Sequence, residues 1–255
     1  MAVVVLGHNA ICERGGASLG LMLRFNASIT DLDVSANSLG DGGVQLLAEG
    51  LVGNAALRNL HLARNQVGAA GVAALASALG RGCGLQRVNL GSNPIGPGGV
   101  EALVGVLLRG TVQLTHVHLG ATHLGDSGAE LLADNLVRNH WLQALYLQSN
   151  GITDAGAQRL AEALKTNAAL SELHMDGNSL SATGVSALAA AAAAWPLVTR
   201  PLASPAALAV CMGFHARLGA ACGMRELPCK VVRLILEACS TQMNRKLRVS
   251  AAVAI

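Results

Sequence analysis

Aliphatic and polar positions alternate over short runs that recur along the chain. The runs are "VVLGHNAI", "LDVSANSL", "LHLARNQV", "VNLGSNPI", "VHLGATHL", "LYLQSNGI" and "LHMDGNSL". Their central residues are Asn9, Asn37, Asn65, Asn93, Thr122, Asn150 and Asn178, at steps of 28, 28, 28, 29, 28 and 28 residues. Three residues before each centre stands an apolar side chain (Leu6, Val34, Leu62, Leu90, Leu119, Leu147, Met175), and two residues after it another. Alternation of this kind predicts a strand. Six residues after each centre is glycine (Gly15, Gly43, Gly71, Gly99, Gly128, Gly156, Gly184), and ten after it leucine (Leu19, Leu47, Leu75, Leu103, Leu132, Leu160, Leu188). In six of seven copies a second leucine follows four residues on, which predicts one apolar helical stripe with glycine giving close packing near the helix start.

Each unit is therefore strand, turn and helix, too small to bury its own apolar face and dependent on its neighbours. Parallel strands stack about 4.8 Å apart while helices need about 8 to 10 Å, so the array is expected to curve into an α/β horseshoe solenoid of about seven units, strands on the concave side. The recurring asparagines are expected to face inward and satisfy backbone groups of their own and adjacent coils. Thr122 breaks the series, next to a one-residue insertion before Leu114, so a local irregularity is expected in the fifth coil.

The pattern LxxLxLxxNxL followed by a GxxxL helix resembles the ribonuclease-inhibitor class of leucine-rich repeats, shared by ribonuclease inhibitor, Ran GTPase-activating proteins and the sensor ends of NOD-like receptors. The resemblance covers residues 1–195 and implies a scaffold that binds protein partners through surface residues differing from one member to the next. It carries over no catalytic or activating residue.

Composition agrees with a packed repeat array: 52 % of residues are hydrophobic, 13 % charged and only 2 % aromatic, with 30 glycines. The six cysteines lack the close pairing of zinc sites or of a disulfide framework, and they read as reduced thiols of an intracellular, cytoplasmic protein. The start of the chain lacks the basic region and cleavage site of a secretory signal, and the longest apolar tract, residues 187–198, is alanine-rich and in register with the repeats, so no membrane association is expected. Residues 1–195 carry ten Lys/Arg against thirteen Asp/Glu, a net charge of −3, so nucleic acid is not an expected partner.

On the predicted strands, the residues between the recurring apolar ones face the concave side. One column reads Val5, Asp33, His61, Asn89, His118, Tyr146, His174; the other reads Val3, Asp31, Asn59, Arg87, His116, Ala144, Glu172. With Gln148 and Asp176 alongside and Arg64 near the edge, they form a candidate partner-binding surface that passes from acidic to basic and imidazole-rich to acidic. His116 and His118 supply two potential metal ligands, but His61 and His174 lie two repeats away on either side, so no metal or other cofactor is expected. Asp31 and Asp33 read as two exposed carboxylates rather than an acid-base pair, for want of an enclosed pocket. "GSNPIGPGG" lacks the GK[ST] ending of a phosphate loop. No catalytic residue is predicted. Trp141 reads as an exposed turn residue able to anchor an interaction, and Trp195 as a cover on the last coil.

After Trp195 the period fails. Residues 196–255 form a proline-containing stretch and a predicted helical cap or docking segment, with eight Lys/Arg against two Asp/Glu, a net of +6. In "LPCKVVRLILEACS", Leu227, Pro228, Val231, Leu234 and Ile235 resemble the opening helix of an F-box or the LP-containing end of a SOCS-type box, which implies docking to an adaptor of a ubiquitin ligase. The plainer reading is an amphipathic helix closing the end of the solenoid. At the other end Met1 leads almost directly into the first strand, so a partner, a second copy or further chain is expected to cover that edge. The function these features predict is non-enzymatic binding of a protein partner through the concave face. The alternatives are regulation of a small GTPase, as in Ran GTPase-activating proteins, and substrate reception for a ubiquitin ligase.

Overall fold

A computed structural model of the chain describes residues 2–107, 113–193 and 209–211, all within the first of two compact units, Met1–Gly213; the second is Phe214–Ile255. Strands β1 (Ala2–Val5), β2 (Ile29–Asp33), β3 (Asn59–His61), β4 (Arg87–Asn89), β5 (His116–His118), β6 (Ala144–Tyr146) and β7 (Glu172–His174) coincide with the predicted alternating runs. Between them lie α1 (Glu13–Phe25), α2 (Gly40–Leu51), α3 (Ala69–Gly80), α4 (Gly96–Leu107), α5 (Gly125–Leu136) and α6 (Asp154–Leu164), and α7 (Ala182–Ala193) follows β7. All strands are parallel and paired in chain order, so the seven strand-helix units form one horseshoe-like α/β solenoid. The sheet continues into β8 (Ala209–Cys211), whose Ala209 pairs with Glu172, 37 residues earlier. That step lies off the 28-residue period, so the repeat did not reveal it. Among the described residues no helix is long and apolar enough to cross a membrane.

The core lies between sheet and helices. The next-to-last residue of each strand from β2 to β7 (Leu32, Leu60, Val88, Val117, Leu145, Leu173) is at most 1 % exposed and joins one core with the helical stripe Leu47, Leu75, Leu103, Leu132, Leu160 and Leu188. Each helix gains its burial from the neighbouring coils rather than from its own length, as a solenoid requires.

The inward asparagines tie the coils together. Asn93 Nδ2 donates to Leu90 O of its own coil (2.8 Å) and to Leu62 O of the preceding one (2.9 Å), while its Oδ1 accepts from the amides of Asn65 (2.8 Å) and Val67 (3.0 Å). Asn178 makes the same set with Met175, Leu147, Asn150 and Ile152. Thr122 performs only the half expected of a hydroxyl. Its Oγ1 donates to Leu119 O (2.7 Å), but it offers nothing to the preceding coil, and the Ile95 amide turns instead to Asn93 O (2.9 Å). Asn9, on the first coil, is exposed and bonds only within its own turn.

Two further ladders, not read from the sequence, reinforce the first. Behind the helices, Asn54 and Asn167 donate to carbonyls of the preceding coil (Leu23 and Asn26; Leu136 and Asn139) and accept from amides entering the next strand (Ala56 and Leu57; Ala169 and Leu170). At the helix starts, Asp41 accepts from the amides of Gly68 (2.6 Å) and Gly71 (3.0 Å), and Asp126 from those of Thr153 (2.8 Å) and Gly156 (3.1 Å). Asp154 does likewise with Ser181 and Gly184. A carboxylate beside helix-start amides also opposes the positive end of the helix dipole. The recurring glycine leaves room for the apolar residue four positions before it and, in some coils, for this carboxylate: a Cβ on Gly156 would lie 2.6 Å from Asp126 Oδ1 and 2.7 Å from Ile152 Cγ2.

Replacing Asn93 by alanine strands the amides of Asn65 and Val67 in the core. Each orphaned buried donor costs about 1–3 kcal/mol, so Asn93→Ala is expected to lose roughly 3 kcal/mol or more in urea unfolding. Asn9→Ala, at an exposed position, is expected to stay within about 0.5 kcal/mol of the parent.

Candidate functional site

The register aligns the outward side chains into the two predicted columns. One runs Asp31, Asn59, Arg87, His116, Ala144, Glu172 and the other Asp33, His61, Asn89, His118, Tyr146, His174, each residue paired with the next across adjacent strands. Five steps from β2 to β7 at strand spacing make a wall about 24 Å long. Ala144 is 1 % exposed and leaves a gap in its column, while Val3 and Val5, 63 % and 68 % exposed, give the β1 end an apolar surface. Gln148 and Asp176 lie half-buried just beyond their strands. Arg64 stands apart from both columns, exposed on the turn after β3 with a left-handed backbone (φ 56°).

Hydrogen bonds hold the acidic end in its charged form. Asp31 takes Thr30 Oγ1 at 2.6 Å and the Asn59 side-chain amide, and these two bonds hold its carboxyl below the usual carboxylate range, with His61 and Arg87 adding to the effect. Burial pushes Asp33 upward, but the Ser35 amide (2.8 Å) and the nearby His61 and His8 outweigh it, and its pKa also falls. Two carboxylates held ionised in this way serve as acceptors and charges, not as proton donors.

The centre is a stack of rings. His118 and Tyr146 lie nearly parallel, 5° apart with centroids 3.6 Å apart, and Tyr146 and His174 follow at 16° and 4.4 Å. Tyr146 OH donates to Glu172 Oε2 (2.9 Å), and His174 Nε2 lies 3.8 Å from the same oxygen. Burial, with His116, His61 and His174 nearby, lowers the pKa of His118 to about 4. Burial and the Arg87 charge lower that of His116, which sits 2.9 Å from Thr115 Oγ1 through Nδ1. Asp176 shifts upward through burial. At neutral pH the middle of the wall is therefore uncharged imidazole and phenol, with Arg87 exposed beside it and carboxylates toward both ends.

Sequence reasoning placed these residues on one wall but did not find the stack. The available signal was three ring-bearing residues in one column on consecutive coils, because strand spacing is close to ring-stacking distance. Among the described residues no group of three or more His, Cys, Asp or Glu could hold a metal ion. Trp141, just before β6, is 44 % exposed, with its amide bonded to Asn139 Oδ1 (3.0 Å). The Cys12 thiol is exposed at the start of α1, where the amides of Arg14 and Gly15 lower its pKa. Trp195 and the adaptor-like residues Leu227, Pro228, Val231, Leu234 and Ile235 lie outside the described residues.

In comparisons with known proteins, a family model described as Leucine Rich repeat matches residues 25–48, 53–76, 85–104, 114–133, 138–161 and 166–189. No curated protein matches the chain. Among solved structures, one similar chain is Leiomodin-1 Actin-Binding Site 2 (ABS2), at 20 % identity over 61 % of this chain and 81 % of that one, with a TM-score of 0.45.

The His118 environment gives stability a pH dependence. An unfolded imidazole binds its proton near pH 6.5 and the folded one only near 4, so this contribution is fully present above pH 6.5 and is lost as pH falls toward 4. Urea midpoints are expected to drop between pH 7.5 and 5, and less so in His118→Gln.

Proposed function

Since the chain belongs to the leucine-rich-repeat family, we propose that it binds a protein partner through the concave wall between β2 and β7. The chain is a non-enzymatic protein-protein interaction module of that family. The observation that carries the concave reading is the unbroken register of two outward columns over six strands, which holds diverse polar and ring side chains at fixed spacing on a frame stiffened by three ladders of hydrogen bonds. Such preorganisation lowers the ordering cost of binding. The chemistry also suits a protein surface: an apolar end at Val3 and Val5, ring edges in the centre and carboxylates toward both ends offer a varied contact to another folded surface. The 28-residue coil, with a helix of 11 to 13 residues in every unit, supports placing the chain in the ribonuclease-inhibitor class.

A small-GTPase regulator and a substrate receptor of a ubiquitin ligase are special cases of this reading, and one experiment separates them. Affinity capture is run with the full chain, with a variant carrying His61→Ala, Arg87→Ala, His118→Ala and Tyr146→Ala, and with an outer-face control, Arg159→Ala. The expected result is a partner retained by the parent and the control but reduced at least tenfold by the four-site variant. Equal retention by all three would move the binding face off the wall. A retained small GTPase supports the regulatory case, whereas a ligase adaptor lost on changing Leu234 and Ile235 supports the receptor case.

A further inference from the structure

We propose that the stacked rings of His118, Tyr146 and His174 form a proton-sensitive latch on the concave wall, closed while His118 is neutral and opened when it takes up a proton. The geometry sets the two states apart. Two imidazoles sandwich one phenol, with centroid separations of 3.6 and 4.4 Å, and all three rings are half-buried on adjacent strands. Neutral rings at this spacing gain from stacking, and the phenol hydroxyl completes the set through Glu172 (2.9 Å). A single imidazolium on a phenol would also be attracted through cation-π interaction. This site, however, sets other charged and titratable groups around that one. His118 faces Asn89 on β4 and Tyr146 on β6, shares β5 with His116, and has His61 on β3 and Glu172 and His174 on β7 within electrostatic reach, while Arg87 on β4 acts on His116. Asp31 and Asp33 stand three strands away on β2, occupied by Thr30, Asn59 and Ser35. A proton on His118 thus adds charge to a neighbourhood that already holds the permanent cation of Arg87 beside His116, with Glu172 at the stack and Asp176 near His174.

Glu172 bridges the middle layer, Tyr146, and one outer layer, His174. Its Oε2 accepts the Tyr146 hydroxyl and lies 3.8 Å from His174 Nε2, so the phenol and the second imidazole converge on one oxygen. Charge repulsion at His118 acts to separate the rings. As regulation, which rests on the concave wall being the binding face, opening the latch at low pH would change the shape and charge of the surface at its centre and release the partner.

Tyr146 is the chain's one tyrosine, so it provides a single reporter. The experiment follows the ring resonances of tyrosine-labelled full-length protein by NMR from pH 7.5 to 3.5, with helical circular dichroism measured on the same samples. The expected result is a Tyr146 shift with its midpoint near pH 4, while the helical signal is retained, and its loss in the double variant His118→Phe, His174→Phe, which keeps rings in place but cannot bind protons. Glu172→Gln, which still accepts a hydroxyl, is expected to retain the shift. An unchanging Tyr146 signal, a shift that coincides with loss of helix, a shift surviving the double variant, or one abolished by Glu172→Gln would each overturn the latch. The titration uses no partner, so a failed capture experiment contradicts the concave reading alone and leaves the latch standing or falling on the Tyr146 shift.

Discussion

A buried amide that serves two coils at once is the constraint on which this solenoid depends. Each chain passage from strand to helix brings backbone N–H and C=O groups into the interior, where an unpaired group is expensive. Asparagine answers with two donors and an acceptor on a short, stiff stem: its Nδ2 reaches carbonyls of its own and the preceding coil, and its Oδ1 takes two amides of the preceding coil. Leucine packing would tolerate small sliding of one coil on the next. Directed bonds between coils do not, and the strands stay in register from β2 to β7.

Register is what turns a stack of short strands into a surface. With every coil locked, the outward residues fall into two columns, and His118, Tyr146 and His174 meet face to face because neighbouring strands stand about one ring-stacking distance apart. The same locking surrounds His118 with His61, His116 and His174, so its low proton affinity follows from the ladder as much as from burial. The coil that contributes His116 and His118 is also the one where Thr122 replaces asparagine and the side-chain bond to the preceding coil is absent. The ladder is thus weakest in the coil that carries two of the wall's imidazoles.

Much of this was legible in the sequence, for reasons that also mark its limit. The spacing of Leu62, Asn65, Val67, Gly71 and Leu75 repeats in every coil, and a repeat of a buried pattern states both period and orientation. Asp41, Asp126 and Asp154 and the series Asn26, Asn54, Asn139 and Asn167 also recur, but only in some coils; they went unread because a partial series is masked by ordinary surface variation. Glycine was correctly assigned to close packing, yet the carboxylate that packs against it, Asp126 on Gly156, belongs to the preceding coil and becomes evident only once the coils are stacked. Ring stacking depends on side-chain rotamers and was not readable from column order. Strand β8 escaped because its offset departs from the period.

Native-state hydrogen exchange tests the ladder most directly. The amides of Val67 and Ile152, bonded to the Oδ1 atoms of Asn93 and Asn178 in the adjoining coils, should exchange only with opening of the coil junction, at a common free energy well above that of exposed helix ends such as Val137. Ile95, whose amide bonds within its own turn where Thr122 interrupts the ladder, should open at a lower free energy than either. Equal protection of Ile95, Val67 and Ile152, or exchange of the latter two as fast as Val137, would contradict the ladder as the element that holds the wall in register.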